Sequence, residues 1–484
     1  MTGQPSTTRR RLLGALGATG LGGLAGCTEI GGLSNGDSAP TAPTVTPRSP
    51  PSGPADSTET VRAAPAQAAS GLSPDAWIYN EGLPGPELRV PEGDVLEVEL
   101  ANDLPRETTV HWHGVPVANP MDGVPGVTQQ PVGPGESFTY RFRAEPAGTY
   151  FFHSHVGLQL DRGLLAPLIV EESDSHVEYD REYTVVLDDY LDGAPQPLYE
   201  GADSGGRGPG MDGGGPGMGG GPGTGGMMGD RRPPYAALLA NGRPPNDPQT
   251  FDVREGQRVR FRFINASSAT YFRVGLGGHP MTVTHADGRP VDPVAVDSFR
   301  FGAGERYDAV VDATNPGTWE LLATALNGRE SPARALLSYD GDTSAPVAPS
   351  VPRRELSYSD LVARTPIEGL DGNPDRTFDL TLSAGQSGWL IDGQAYPDAD
   401  PLRIREGEHV RVTMRNRSPV VHPMHLHGHF FRVGNAVKDT VVVPGHMGTV
   451  TFDFLADNPG NWLFHCHNLY HLESGMARLF QYVE

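Results

Sequence analysis

Ten of the sixteen histidines fall in four short clusters, a density that structural roles for histidine do not require and that metal binding explains economically. The first cluster is His111-Trp112-His113-Gly114 and the second is His153-Ser154-His155. The third is His422-Pro423-Met424-His425-Leu426-His427, and the fourth is His465-Cys466-His467, followed by His471 and Met476. In extended backbone, residues two apart face the same side, so each His-x-His pair offers two imidazoles in one direction. A single pair of this kind is a weak signal.

The fourth cluster is the informative one. If it is extended, Cys466 points one way and its two neighbours the other, so one segment serves two separate metal sites through adjacent residues. On the Cys466 side, one thiolate, the imidazoles of His471 and of His422 on a facing strand, and the weak thioether of Met476 make a blue-copper electron-transfer set. Zinc favours closed Cys/His tetrahedra without a thioether and fits these residues poorly. The other side gathers His465 and His467 with His111, His113, His153, His155, His425 and His427. Eight imidazoles suit three coppers, two for a single ion and six for a coupled pair. Spacing alone does not assign the individual ligands.

The elements that must hold these residues show a threefold repeat. Leu88-Arg89-Val90-Pro91-Glu92-Gly93-Asp94-Val95-Leu96-Glu97-Val98 is echoed by the segments from Phe251 to Phe261 and from Leu402 to Val412, each with Glu-Gly at its centre. Nine residues after each glycine stands an asparagine: Asn102, Asn265 and Asn416. The glycines are 163 and 151 residues apart, room for a whole domain each and too much for a solenoid unit. Alternating strand patterns, Gly/Pro turns and no long helical periodicity predict three β-sandwiches.

The flanking and inserted segments read differently. Thr8-Arg9-Arg10-Arg11, a short apolar run and Leu24-Ala25-Gly26-Cys27 are built like an export signal. The arginines resemble a twin-arginine address, and the tetrapeptide resembles a lipobox that would leave a lipid on Cys27 as a membrane tether. Residues 28–70 are rich in Pro, Ser, Thr, Ala and Gly and read as a flexible tether. Residues 205–229 form a Gly-rich insert carrying Met211, Met218, Met227 and Met228, expected as a surface loop. The expected domains are 71–173, 174–350 with the insert, and 351–484. The charge balance is acidic, 59 Asp and Glu against 37 Lys and Arg, with Lys438 the sole lysine. A net charge of −22 argues against nucleic acid as a partner and suits an exported, high-salt habitat.

All four histidine motifs, in this order over roughly residues 76–484, resemble the multicopper oxidases, the family of laccases, ascorbate oxidase and cuprous oxidases. Asp122-Gly123-Val124-Pro125, Gly148-Thr149-Tyr150-Phe151-Phe152 and Asp457-Asn458-Pro459-Gly460-Asn461-Trp462 also read as this family. The resemblance implies an all-β chain of three consecutive cupredoxin-like Greek-key domains holding four coppers. It implies that His422, Cys466, His471 and Met476 bind a type 1 copper, and His111 and His425 a type 2 copper. His113, His153, His155, His427, His465 and His467 would take the type 3 pair, between the first and third domains. The middle domain would hold no copper, and His279 and His285 there are expected to be structural.

The implied reaction passes single electrons from a reducing substrate through Cys466 to its neighbours and reduces dioxygen to water. Protons are needed, and Asp122 is the expected acid, with Glu473 a second candidate. Met476 predicts a low to medium potential, suited to electron-rich phenols, aromatic amines or Cu(I). The leading reading is a laccase-type oxidase. A cuprous oxidase for copper tolerance is the alternative, in which the four methionines of the insert bind Cu(I) and are not mere filler. An electron carrier or copper store is a poor fit, because it has no use for eight further histidines.

Overall fold

Each Glu-Gly repeat is the point where the chain crosses from one sheet to another. The computed structural model describes residues 45–67, 71–198, 232–385 and 388–484. In the first copy, the strand Leu88–Pro91 pairs in parallel with Leu165–Glu171, while Val95–Asn102, just past the turn, joins a different sheet against Ser137–Arg143. The second copy does the same with Gln249–Val253 and Arg258–Asn265, and the third with Leu402–Ile404 and His409–Asn416. Three two-sheet sandwiches result, with four and four, six and five, and six and five strands. The only α-helix among the described residues is the single turn Leu469–Glu473.

The repeated asparagine now has a physical role. Asn102, Asn265 and Asn416 are buried, and each donates its amide to two backbone carbonyls while accepting a backbone N–H two residues on. A side chain that satisfies three buried backbone groups fixes the loop after the strand without a regular ladder. In domains one and three that loop leads to a histidine cluster.

The expected tether is shorter than its composition suggests. Ser57–Pro65 is a strand that pairs in parallel with Val95–Asn102, with Val61 and Ala63 fully buried. The first domain therefore begins some residues before the expected start at 71. Averaging composition over a Pro/Ser/Thr-rich stretch hid a nine-residue strand with only Thr58, Thr60 and Val61 as β-formers, whose backbone groups are satisfied by the ladder. Arg9, Arg10, Cys27 and the insert 205–229 lie outside the described residues.

The first domain has its own core, in which Trp112 packs against Tyr140, Phe142 and Phe152. The apolar cores of the second and third domains are continuous. The first and third domains are joined by side-chain amides on backbone: Asn119 Nδ2 donates to the Asn461 carbonyl at 2.6 Å, and Asn458 Nδ2 donates to that of Val117 at 3.0 Å.

Candidate metal centre

Strand pairing brings the histidine clusters together. His111–His113 lies antiparallel to Gly148–His153 with His111 opposite His153, and His422–Leu426 lies antiparallel to Asn461–Cys466 with His425 opposite His465. His155, His427 and His467 follow the ends of their strands, so their rings are aimed by loops and not by the pleat. The alternation expected at His465-Cys466-His467 is present. Cys466 Sγ lies 3.6 Å from His422 Nδ1 and 3.5 Å from His471 Nδ1, and those two nitrogens are 3.1 Å apart. All three atoms can reach one ion at about 2.0–2.3 Å. The one-turn helix carrying His471 is capped by Asn468, whose side chain accepts from the Tyr470 and His471 N–H groups. Met476 is fully buried and tied to this site through its backbone, with the Cys466 N–H donating to the Met476 carbonyl and the Met476 N–H to that of His471.

On the opposite side, His155, His427 and His465 form one close group, with His427 Nε2 and His465 Nε2 3.0 Å apart. His113, His153 and His467 face one another with ring centroids 4.8–5.9 Å apart. His111 and His425 lie between, with ring centroids 5.7 Å apart. The six expected type 3 ligands thus sort into two trios, a division that spacing did not give.

Hydrogen bonds fix which nitrogen each ring can offer. His111 Nδ1–H donates to the Asp122 carbonyl at 2.9 Å, His153 Nδ1–H to that of Ser154 at 3.0 Å, and His425 Nδ1–H to that of Asp439 at 2.9 Å. His465 Nδ1–H donates to the Cys466 carbonyl, and His422 Nε2–H to Ser418 Oγ. His113 is turned the other way, with Nε2–H on Thr440 Oγ1 at 3.2 Å. The inward nitrogens His111 Nε2, His113 Nδ1, His153 Nε2, His155 Nε2 and His425 Nε2 are buried and make no hydrogen bond. Burial and the neighbouring imidazoles hold the ring pKa values far below the usual histidine range in His113, His153, His427, His465 and His467, and push His155 down to about 3. Burial pushes His422 down to about 3 as well. Neutral, outward-tethered imidazoles with inward lone pairs are what a cationic metal needs, so this donor set fits copper.

Asp122 is buried between the first and third domains. Its Oδ2 accepts from His427 Nδ1–H at 3.0 Å, and its Oδ1 lies 3.2 Å from His111 Nδ1. The next residue, Gly123, has φ +85°, and a Cβ there would meet the Val110 carbonyl at 1.8 Å, so the turn that aims Asp122 requires glycine. Glu473 is exposed at the edge of a cavity of about 280 Å³ that His155, Gly157 and Tyr396 also line. His279 and His285 make local contacts: His279 bonds the Gly277 carbonyl and Tyr339, and His285 pairs with Glu172 at 2.6 Å. His429, which follows the third cluster, bonds the His427 carbonyl and Tyr482 in the way His279 bonds its own neighbours.

Several residues at the centre carry no sequence signal. Trp389 covers His471 and His422, with ring centroids at 4.3 and 4.8 Å, and His471 is entirely buried. Asp439 and Thr440 back His113 and His425. Arg306, from the middle domain, pairs with Asp439 at 2.7 and 2.5 Å. Lys438 stood out only as the sole lysine; it is fully buried, 3.0 Å from both Asp287 and Glu305.

Three sandwiches with a Cys/His site in the last, joined through adjacent residues to eight histidines between the first and last, define a copper oxidoreductase of the cupredoxin type. Multicopper oxidase family models match residues 60–175, 181–342 and 370–484. The multicopper oxidase MmcO of Mycobacterium tuberculosis is 38% identical over 451 residues, covering 88% of this chain and 87% of that protein. Laccase-3 of Thanatephorus cucumeris is 30% identical over 85% of the chain and 88% of its own length, and a copper resistance protein A homolog of Pseudomonas syringae pv. tomato is 29% identical over 84% and 89%. The crystal structure of a multi-copper oxidase from Pseudomonas thermotolerans superposes with TM-score 0.68 at 28% identity, covering 89% of this chain and all of that one. The chain belongs to the multicopper oxidase family, copper enzymes that use dioxygen as electron acceptor.

Proposed function

We propose that this chain is an exported oxidase with four coppers that takes single electrons from electron-rich phenols or aromatic amines and reduces dioxygen to water. The observation that carries the reading is the placement of Cys466 against His422 and His471 while its covalent neighbours His465 and His467 face the other histidines. His422 Nδ1, Cys466 Sγ, His471 Nδ1 and Met476 would hold the type 1 ion. His111 and His425 would hold type 2, and the trios His155/His427/His465 and His113/His153/His467 the type 3 pair. When bound, the coppers supply the one-electron acceptor and the four-electron reductant of dioxygen.

The protein's own residues do the rest. Asp122 has both carboxylate oxygens turned toward imidazole N–H groups, so it orients a ligand from the first domain and one from the third before it can serve as an acid. Glu473, at the solvent edge of the cavity beside His155, is placed to pass protons inward. Export and a lipid on Cys27 rest on the signal-like N-terminus alone.

Cu(I) is a second reading of the substrate. It is favoured by the similarity to proteins named for copper resistance and by the closed surface over His471, where Trp389 leaves no ring edge for a phenol to touch. The test compares Cu(I) and a phenol as donors in the wild type and in a deletion of 205–229. Phenol turnover exceeding Cu(I) turnover, with neither changed by the deletion, supports the laccase reading. Selective loss of Cu(I) oxidation in the deletion supports the second.

A further inference from the structure

The domain expected to hold no copper reaches the trinuclear histidines. The loop between the strands Ser298–Phe301 and Arg306–Asp312 of the middle domain runs directly against them. A Cβ built on Gly304 (φ +88°) would lie 2.9 Å from His113 Cε1 and 3.0 Å from His467 Cδ2, so the backbone here is in contact with both rings. Two residues on, Arg306 is fully buried and forks onto Asp439, Nη1 to Oδ1 at 2.7 Å and Nη2 to Oδ2 at 2.5 Å. Two further N–H groups are used as well. Nε donates to the Thr149 carbonyl of the first domain at 3.1 Å, and Nη1 to the Gly304 carbonyl at 2.9 Å. One guanidinium therefore ties all three domains together.

The far side of Asp439 meets the ligands. Its Oδ1 lies 3.3 Å from His113 Nε2 and accepts from the Thr440 hydroxyl at 2.8 Å. Thr440 Oγ1 is in turn 3.2 Å from His113 Nε2 and 3.1 Å from His425 Nδ1, the outward nitrogens of a first-domain and a third-domain ligand. Asp287, also of the middle domain, accepts the backbone N–H groups of Asp439 and Thr440 at 3.2 and 3.1 Å. Among the rings of the trinuclear group whose outward nitrogen makes a hydrogen bond, His113 uses Nε2, and its partner is the Thr440 hydroxyl and not a backbone carbonyl. A side chain brought from elsewhere holds this ring.

We propose that Arg306, with Gly304, makes the middle domain a positioning element for the trinuclear centre: Arg306 clamps Asp439, and the clamped Asp439–Thr440 pair sets the rings of His113 and His425. A planar fork suits this use because it fixes both carboxylate oxygens at once, which a lysine ammonium cannot. Outer-shell partners of metal-bound histidine change metal affinity or activity about 10–100-fold when removed. The proposal rests on the reading of His113, His425 and His467 as copper ligands.

The experiment compares wild type, Arg306→Met, Arg306→Lys and Gly304→Ala, each loaded with copper as the full chain. Copper per chain, the type 1 blue band, the type 2 electron paramagnetic resonance spectrum and dioxygen turnover are read on the same samples. The blue band reports folding independently, since the Cys466 site touches none of these side chains. Expected is a kept blue band with an altered or lost type 2 spectrum and at least tenfold slower turnover in Arg306→Met, with partial recovery in Arg306→Lys. Should Arg306→Met fail to fold, Gly304→Ala decides, because its added methyl presses on His113 and His467 and should perturb the same signals. A full copper complement with an unchanged type 2 spectrum in the variants overturns the proposal, as does equal loss of type 1 and trinuclear copper. A wild type that lacks the trinuclear coppers would instead overturn the ligand reading beneath it.

Discussion

Replacing Asp122 by Ala should weaken one copper of the trinuclear centre selectively. His111 keeps an acceptor in the variant, because its Nδ1–H already donates to the Asp122 backbone carbonyl at 2.9 Å. His427 does not, since its Nδ1–H donates only to the Asp122 carboxylate, at 3.0 and 3.3 Å. A hydrogen bond to a charged group is worth about 1.5–3 kcal/mol net. At about 1.4 kcal/mol per factor of ten, its loss is worth roughly 10–100-fold. The effect should appear as weaker copper retention against a chelator and as lower kcat, with the KM for the reducing substrate unchanged because the type 1 site is untouched. Asp122→Asn keeps a carbonyl acceptor for His427 and should lose about tenfold or less, a neutral bond being worth about 0.5–1.5 kcal/mol. Copper retention in Asp122→Ala within twofold of wild type would refute the orienting role. So would an Asn variant as damaged as the Ala variant, since that would place the requirement on the charge or proton and not on the acceptor.

Lys438→Met leaves Glu305 without its cation and Asp287 with only Arg306 at 3.7 Å, in a fully buried site, and should cost about 3–5 kcal/mol. Burial already raises the pKa of both carboxyls in the wild type, and losing the ammonium raises them further. A group whose pKa is raised on folding contributes its stability below its unfolded pKa and loses it as pH rises through the folded value. The deficit should therefore be smaller at pH 5 than at pH 7 in urea unfolding of the copper-free chain, and a pH-independent gap would remove the carboxylates from the explanation. Met476→Leu should raise the type 1 reduction potential, read by redox titration of the blue band; an unchanged potential would take the thioether out of the site. Glu473→Gln should slow dioxygen turnover severalfold while leaving anaerobic reduction of the type 1 site unchanged. Equal slowing of both would show that Glu473 acts on the donor side.

The strands, the three sandwiches and the clusters of histidine and cysteine that come together were legible because their signals are local. A Glu-Gly turn, an asparagine nine residues on and histidines two apart each leave a short, repeated trace. The grouping of His113 and His153 with His467 left none, because it brings two strand residues of the first domain against a residue just past a strand end more than 300 residues later in the chain. Trp389 and Arg306 were invisible for the same reason: each acts across a sheet or domain boundary on a residue distant in sequence. Lys438 was visible as the sole lysine, but its burial against two carboxylates could not be read from its neighbours. The strand Ser57–Pro65 was missed because a composition argument over a long window outvoted a short alternating run. Asp122 was found through its position after the first motif, while its acceptor role toward His427 needed the third domain to be placed.

The central claim is that Cys466 belongs to one copper and its two neighbours to others, and copper counting on Cys466→Ser tests it most directly. Wild type should hold about four coppers per chain with an intense blue band. The variant should hold about three, lose the blue band, keep the type 2 paramagnetic signal and no longer couple donor oxidation to dioxygen reduction. A variant that keeps the blue band, or one that loses every copper while still folded, would contradict the account.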